Sequence, residues 1–218
     1  MAKAADTKED RTPEEGRSAR KRRAILEAGR TLFMRGGYEG ASMDEVAAVA
    51  QVSKQTVYKH FADKQTLFAE IVTNDMKGRA EELVQALAQT EDDKTDLLEL
   101  ARRHIASIIK PEVMRMRRMV IGEADRFPKL ARAWSETGIQ VGLAKLADRF
   151  AELAEREVLQ VEDPQQAAEH FNWLVLSTPL NRSMFDPEVQ FSKRDLDRFA
   201  DEGVRVFEAA YRISSAAK

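Results

Sequence analysis

The chain has 218 residues, 43% of them hydrophobic and 33% charged, with a net charge of −2; this is the composition of a soluble globular protein with room for a small headpiece and a larger helical body, and it excludes a disordered chain. Cysteine is absent, which excludes disulfides, thiolate metal sites and cysteine nucleophiles. No apolar run approaches the roughly 20 residues of a membrane span, and Met1 to Asp10 lack the apolar stretch of a signal peptide, so a cytoplasmic protein without a membrane partner is expected.

The small net charge hides an asymmetry. Arg17 to Lys64 hold ten Lys/Arg against five Asp/Glu, an excess of five positive charges, so the rest of the chain carries a net −7. A basic head on an acidic body is expected where only one end meets phosphate. Taken alone, the charges fit a solvated helix face equally well.

In chain order, residues 1–16 are polar and without periodicity, and read as a flexible tail. From about Ser18, Ile25, Ala28, Leu32 and Phe33 recur at helical spacing up to Arg35-Gly36-Gly37, where glycine suits a helix C-cap. Ser42, with Glu45 three residues on, is a capping-box signature opening a helix of about two turns. Ser53 caps a second short helix, Lys54 to Phe61, and Asp63 caps a long one from Lys64 to about Gln89. Short helix, tight turn, short helix is the rhythm of a helix-turn-helix unit.

Beyond residue 90 every element reads helical. Helices are expected at about 94–109, 112–126 and 129–157, the last broken near Gly138, then at 164–178, where Asp163 is the N-cap and Pro164 the first residue, and at 193–213 behind Ser192. The expected fold class is all-α: a three-helix headpiece (17–70) joined by the long helix to a larger body (71–218).

The second short helix can be unrolled at about 100° per residue. Val57 and Phe61 share one apolar stripe that must be buried. Gln55, Thr56 and Lys59 point away from it, with Tyr58 and His60 on the two flanks; Lys54 points inward by angle, on a stem long enough to swing out. Gln pairs with adenine, Lys donates to guanine, and Thr meets a base methyl or a phosphate. Tyr58 and His60 are placed for the backbones on the groove walls, and Lys64 for a phosphate at the start of the next helix. An ordinary exposed polar face has the same pattern.

These residues also carry a resemblance. Arg23-Ala24-Ile25-Leu26, Leu32-Phe33, Gly36-Gly37-Tyr38, Ser42, Val46-Ala47 and the run from Val52-Ser53 through Thr56-Val57-Tyr58, His60-Phe61 and Asp63-Lys64 to Leu67 resemble, in order and spacing, the DNA-binding domain of the TetR family over residues 20–70. The resemblance implies a transcriptional regulator, by family default a repressor, in which Ser42, Thr56, Tyr58, His60 and Lys64 contact DNA while Lys54, Gln55 and Lys59 select the operator. Two positions depart from the pattern. Gln51 stands in the turn where the family has glycine, so a positive φ there would cost about 1 kcal/mol and the turn is expected to be slightly rebuilt. Gln65 replaces an acid.

One headpiece reads few base pairs, so a two-fold dimer on a palindromic operator is expected, in line with the resemblance. The last two helices are the expected interface, through Phe171 and Leu174 on one and Leu196, Phe199, Gly203, Val206 and Ala210 on the other; the same stripes would also suit the subunit's own core. The body is similar to the AefR-like subgroup in Ile121 to Leu130 and after Asp163-Pro164, which implies a pocket for a small apolar or amphipathic effector. Met116, Met119, Phe127, Trp134 and Phe171 are its candidate liners, with Met114, Phe150 and Trp173 behind them and Glu123 and His170 as polar handles; core filling explains the same residues.

Three histidines (60, 104, 170) without metal-binding spacing, no phosphate loop and no nucleophile elbow speak against an enzyme, a metal site or a cofactor. A helical adaptor and an effector-independent DNA-binding regulator are the alternatives.

Overall fold

The computed structural model describes residues 13–88 and 97–213. Their regular structure is all-α, apart from one isolated antiparallel bridge, Leu159 to Arg212. The helices are α1 (Pro13–Gly36), α2 (Met43–Val49), α3 (Lys54–His60), α4 (Lys64–Ala88), α5 (Leu97–Ile108), α6 (Pro111–Gly122), α7 (Pro128–Trp134), α8 (Gln140–Glu155), α9 (Pro164–Phe185) and α10 (Lys193–Tyr211). The chain divides into two compact units after Ile71, a head and a body.

Several boundaries correct the expectations. Helix α1 begins at Pro13, so Pro13 to Gly16 are helical rather than part of a tail; proline has no N–H to lose at a first helical position. Residues 1–12 of the expected tail, 89 at the end of the long helix and 94–96 of the next lie outside the described residues. Helix α6 stops at Gly122, four residues early, because Glu123 and Ala124 close the end with N–H bonds to Met119 and Ile121 carbonyls. The break expected near Gly138 is a π-turn over Ser135–Ile139 between α7 and α8. Helix α9 passes through Pro179, where an end was expected, and runs on to Phe185. The proline removes one hydrogen bond, but Val175, Leu176, Pro179, Leu180 and Ser183 are all buried, and that packing carries the helix through.

The head core is aromatic. Phe33, Tyr38 and Phe68 meet with ring centroids 5.0–5.9 Å apart, joining α1, the loop after it and α4. Gly37 adopts φ 73° and its N–H bonds the Phe33 carbonyl, so the glycine end expected for α1 is formed.

In the body, α5, α8, α9 and α10 surround a second core. Phe150, Phe171 and Phe207 form a triad with centroids 5.1–5.3 Å apart, and Leu100, Ile105, Leu146, Val175 and Val204 fill the space around it. One polar pair lies in the body interior: His104 Nε2 is 2.9 Å from Asn172 Oδ1. Burial lowers the His104 pKa, against the opposing effect of the hydrogen bond that Nε2–H donates to Asn172, and so favours the neutral ring.

Helices α9 and α10 approach closely at Gly203. A β-carbon there would lie 2.6 Å from Val175 Cγ1 and 3.1 Å from the Leu174 backbone. Gly203→Ala is therefore expected to push the two helices apart and cost about 1–3 kcal/mol. Thermal unfolding of the variant checks this, and an unchanged midpoint would contradict the contact.

Candidate nucleic-acid interface

The site is built on two caps and a turn. Ser42 Oγ accepts from the Glu45 N–H at 3.2 Å, while the Glu45 carboxylate accepts from the Ser42 N–H and hydroxyl at 3.1 and 2.8 Å. This is the capping box read from the sequence, and it opens α2. Ser53 Oγ accepts from the Thr56 N–H at 3.2 Å and opens α3. At the far end Phe61 is the C-cap, outside the helix it was expected to finish.

Between them, the turn has the geometry that glycine normally supplies. The Val52 N–H bonds the Ala47 carbonyl at 3.0 Å and the Gln51 N–H bonds that of Ala48 at 3.2 Å. This closure requires a left-handed residue at position 51. The turn is not rebuilt: Gln51 takes φ 54°, at a cost of about 1 kcal/mol relative to glycine.

Helix α3 is oriented by burial. Val57 and Phe61 are 0% and 1% exposed, and hiding two such side chains contributes about 1.5–3 kcal/mol each. The Arg22 guanidinium lies 5.2 Å from the Phe61 ring and pairs with Glu70, so α1 and α4 hold the end of α3. The opposite edge is open: Gln55 and Lys59 are exposed, and Tyr58 is 52% exposed. None of the three side chains is hydrogen-bonded to another described residue.

The remaining expected contact residues are engaged within the head. Thr56 is half-buried, its hydroxyl 2.8 Å from that of Ser53. The Ser42 hydroxyl serves its capping box. Lys54 does swing outward, onto Asp44 at 2.6 Å. Lys64 sits furthest from expectation: its ammonium donates to the Tyr38 and Ala41 carbonyls at 3.0 and 3.1 Å and lies 4.5 Å from the Tyr38 ring centroid. Glu39 is 3.8 Å from the same nitrogen. Lys64 thus ties the α1–α2 loop to the start of α4. That helix start is itself capped by Asp63, whose carboxylate accepts from the Thr66 N–H at 2.7 Å and is held below its ordinary pKa by that bond.

His60, half-buried on the flank, has its pKa lowered by burial first, and then by Arg22, Lys59 and Lys21. Lys21 and Arg22 belong to α1, so the first helix lends positive charge to the face of the third. The sequence reading did not assign α1 to this face; the crowding of Arg17, Arg20, Lys21, Arg22 and Arg23 was the signal available.

In the body, the candidate effector and interface residues separate. Met116, Phe127, Trp134 and Phe171 are buried and Met119 half-buried, whereas Trp173 is exposed. Phe171 and Phe150 belong to the aromatic core, so Phe171 turns inward rather than toward a partner chain. Gly203 likewise serves the α9–α10 crossing. Leu196 and Phe199 pack half-buried against the core. Leu174, Val206 and Ala210 remain exposed, beside Trp173. An open cleft of about 440 Å³ lies elsewhere, lined by Ile109, Pro111, Met114, Arg115, Arg118 and the segment from Asp186 to Gln190; of the candidate liners it includes Met114 alone. Glu123 lies 4.0 Å from Arg126, and His170 Nδ1 is 2.6 Å from the Tyr211 hydroxyl.

Removing the Lys64 ammonium strands two carbonyls that are partly shielded from water. Lys64→Ala is expected to lower stability by about 1–3 kcal/mol, whereas Lys59→Ala on the open edge should change it by less than about 0.5 kcal/mol. Chemical denaturation of both variants, without any ligand, tests the difference.

Comparison with known proteins completes the assignment. The family model described as bacterial regulatory proteins, tetR family, matches residues 25–71. That of the AefR-like transcriptional repressor, C-terminal domain, matches residues 95–213. A solved TetR-family transcriptional regulator from Mesorhizobium loti superposes with a TM-score of 0.85 at 41% identity, over 90% of this chain and 99% of the other. The flavonoid-responsive regulator FrrA superposes at 0.70 with 27% identity, over 90% and 100%. The HTH-type transcriptional regulator YhgD of Bacillus subtilis is 40% identical over 68 residues, 30% of this chain. The chain spans only 35–50% of the length of the first curated relatives it matches. With a matching model over each unit and a solved homologue along nearly its whole length, the chain belongs to the TetR family of bacterial transcriptional regulators, with an AefR-like body.

Proposed function

We propose that the protein is a homodimeric, cytoplasmic repressor that reads a palindromic operator with α3 and is released from it by a small apolar or amphipathic effector. The observation that carries the DNA-reading part is the outward edge of α3. Gln55, Tyr58 and Lys59 stand in solvent without internal partners, beside His60 and the cations of α1, while Val57 and Phe61 anchor the opposite edge. In a major groove, Gln55 and Lys59 reach base edges and Tyr58 a phosphate. Ser42, Thr56 and His60 line the same approach. Lys54 and Lys64 contribute positive potential, and exchanging Asp44 for a phosphate frees Lys54 for contact.

Dimerisation is supported by the exposed apolar side chains on α9 and α10: Trp173, Leu174, Val206 and Ala210. Repression follows the AefR-like match, and FrrA is named for its response to a flavonoid. A regulator without an effector is the second reading, favoured by the burial of Met116, Phe127, Trp134 and Phe171.

Selection of duplexes from a random pool is expected to return a palindrome; a product without two-fold symmetry would overturn the paired-head reading. Against that duplex, Lys59→Ala and Gln55→Ala should relax base preference at one position per half-site. Tyr58→Phe should weaken all duplexes alike. Binding should fall with salt at a log–log slope of about −0.9 per neutralised phosphate, a law a helical adaptor with a protein partner does not obey.

His60 adds a pH signature. Its folded pKa lies below the ordinary 6.5, so the free protein keeps the ring neutral to lower pH than usual. A phosphate alongside favours the charged ring and raises the pKa in the complex. Affinity should therefore rise as pH drops from the upper toward the lower of those two values, and His60→Gln should flatten that part of the profile. A variant profile parallel to the wild type would remove His60 from the interface.

A further inference from the structure

The turn that delivers α3 holds a residue that the head itself does not employ. Gln51 sits at φ 54°, where glycine fits without strain, and its side chain is exposed and forms no hydrogen bond with the described residues. Strain alone does not mark a site, because Glu157 closes α8 in the same way at φ 56°. Location does. Position 51 is two residues before Ser53, the N-cap of the helix whose outer edge is offered to the groove. A recognition helix meets base edges through its N-terminal residues, so the turn feeding it runs beside a phosphate strand. At that end Lys54 rests on Asp44, in an exposed pair that a phosphate can displace. The carboxamide of Gln51 is left as a donor without an internal acceptor.

We propose that Gln51 is a DNA-contacting residue, its side-chain N–H group donating to a phosphate oxygen beside the N-terminal end of α3 and so fixing how that helix sits in the groove. The assignment rests on the DNA-binding reading above. It adds to that reading a contact that a glycine at this position cannot make.

Two substitutions separate the amide from the backbone. Gln51→Ala removes the carboxamide but keeps a β-carbon in the left-handed conformation. Gln51→Gly removes both, and Glu157→Gly relieves the equivalent strain in the body. Each full-length variant is titrated with the selected duplex and with a scrambled one, and its thermal midpoint is recorded.

Gln51→Ala is expected to leave the midpoint in place and weaken both duplexes by about three- to tenfold, the value of one hydrogen bond. The salt slope should not change, since a neutral amide releases no counterion. Gln51→Gly should raise the midpoint by about 2–4 °C with the same loss of affinity, and Glu157→Gly should raise it with no loss. Wild-type affinity in Gln51→Ala overturns the assignment alone. A loss confined to the selected duplex overturns it too, because that marks a base contact. If the wild-type protein retains no duplex at all, the DNA-binding reading fails and the assignment with it.

Discussion

A seven-residue helix does not persist in water on its own. Nucleation costs more than so few hydrogen bonds return, and helices under about 12 residues are marginal even in favourable sequences. Helix α3 therefore exists only because Val57 and Phe61 are buried and Ser53 caps its start. The burial that makes the helix also orients it. With one edge locked beneath Arg22 and the aromatic core of the head, the edge with Gln55, Tyr58 and Lys59 has one direction left to face. Stability and the presented surface are consequences of one packing event. For that reason the edge is preorganised before any ligand arrives, and little ordering entropy is left for binding to supply.

The head divides its positive charge between two tasks. Lys64 and Arg22 hold structure together: one bridges the loop carbonyls to α4, the other joins Phe61 to Glu70. Lys59 and Lys21 stay at the surface and, together with Arg22, which serves both tasks, set the potential felt at His60. Lys54 stands between the two groups, since its exposed pair with Asp44 is worth under about 1 kcal/mol and a phosphate can displace it. A count of basic residues along the sequence makes no such distinction.

What the sequence disclosed, and what it did not, follows from the range of each interaction. Capping boxes, the glycine end of α1 and the two-turn rhythm of α2 and α3 are local, and Ser42, Gly37 and Ser53 were legible because their partners lie within four residues. The buried edge of α3 followed from periodicity alone. The end of α9 did not: Pro179 is a local stop signal, and only the surrounding burial of Val175, Leu176 and Leu180 overrides it. Lys64 could not be placed on the Tyr38 and Ala41 carbonyls because nothing local links positions so far apart in sequence. Phe171 and Gly203 obeyed the periodicity of an interface and still turned inward, because i, i+4 spacing defines a face without saying what covers it.

The reading edge also limits what one head can do alone. On the proposed reading, Gln55 and Lys59 are the two base-contacting side chains of a head, and each discriminates by about 1–3 kcal/mol. Operator recognition generally exceeds non-specific binding by about 4–10 kcal/mol, a margin that one head reaches only in its lower part. Pairing two heads on a symmetric site doubles the base contacts and carries the total across that range. A regulator of this design is thus sensitive to the spacing of its heads: losing the second set of contacts forfeits half the discrimination without altering any residue on α3. On the proposed reading, an effector need not touch the DNA-facing surface or compete for it. A body held in a geometry that misaligns one head is sufficient, and a coupling of about 1–3 kcal/mol already changes affinity by about 5–150-fold.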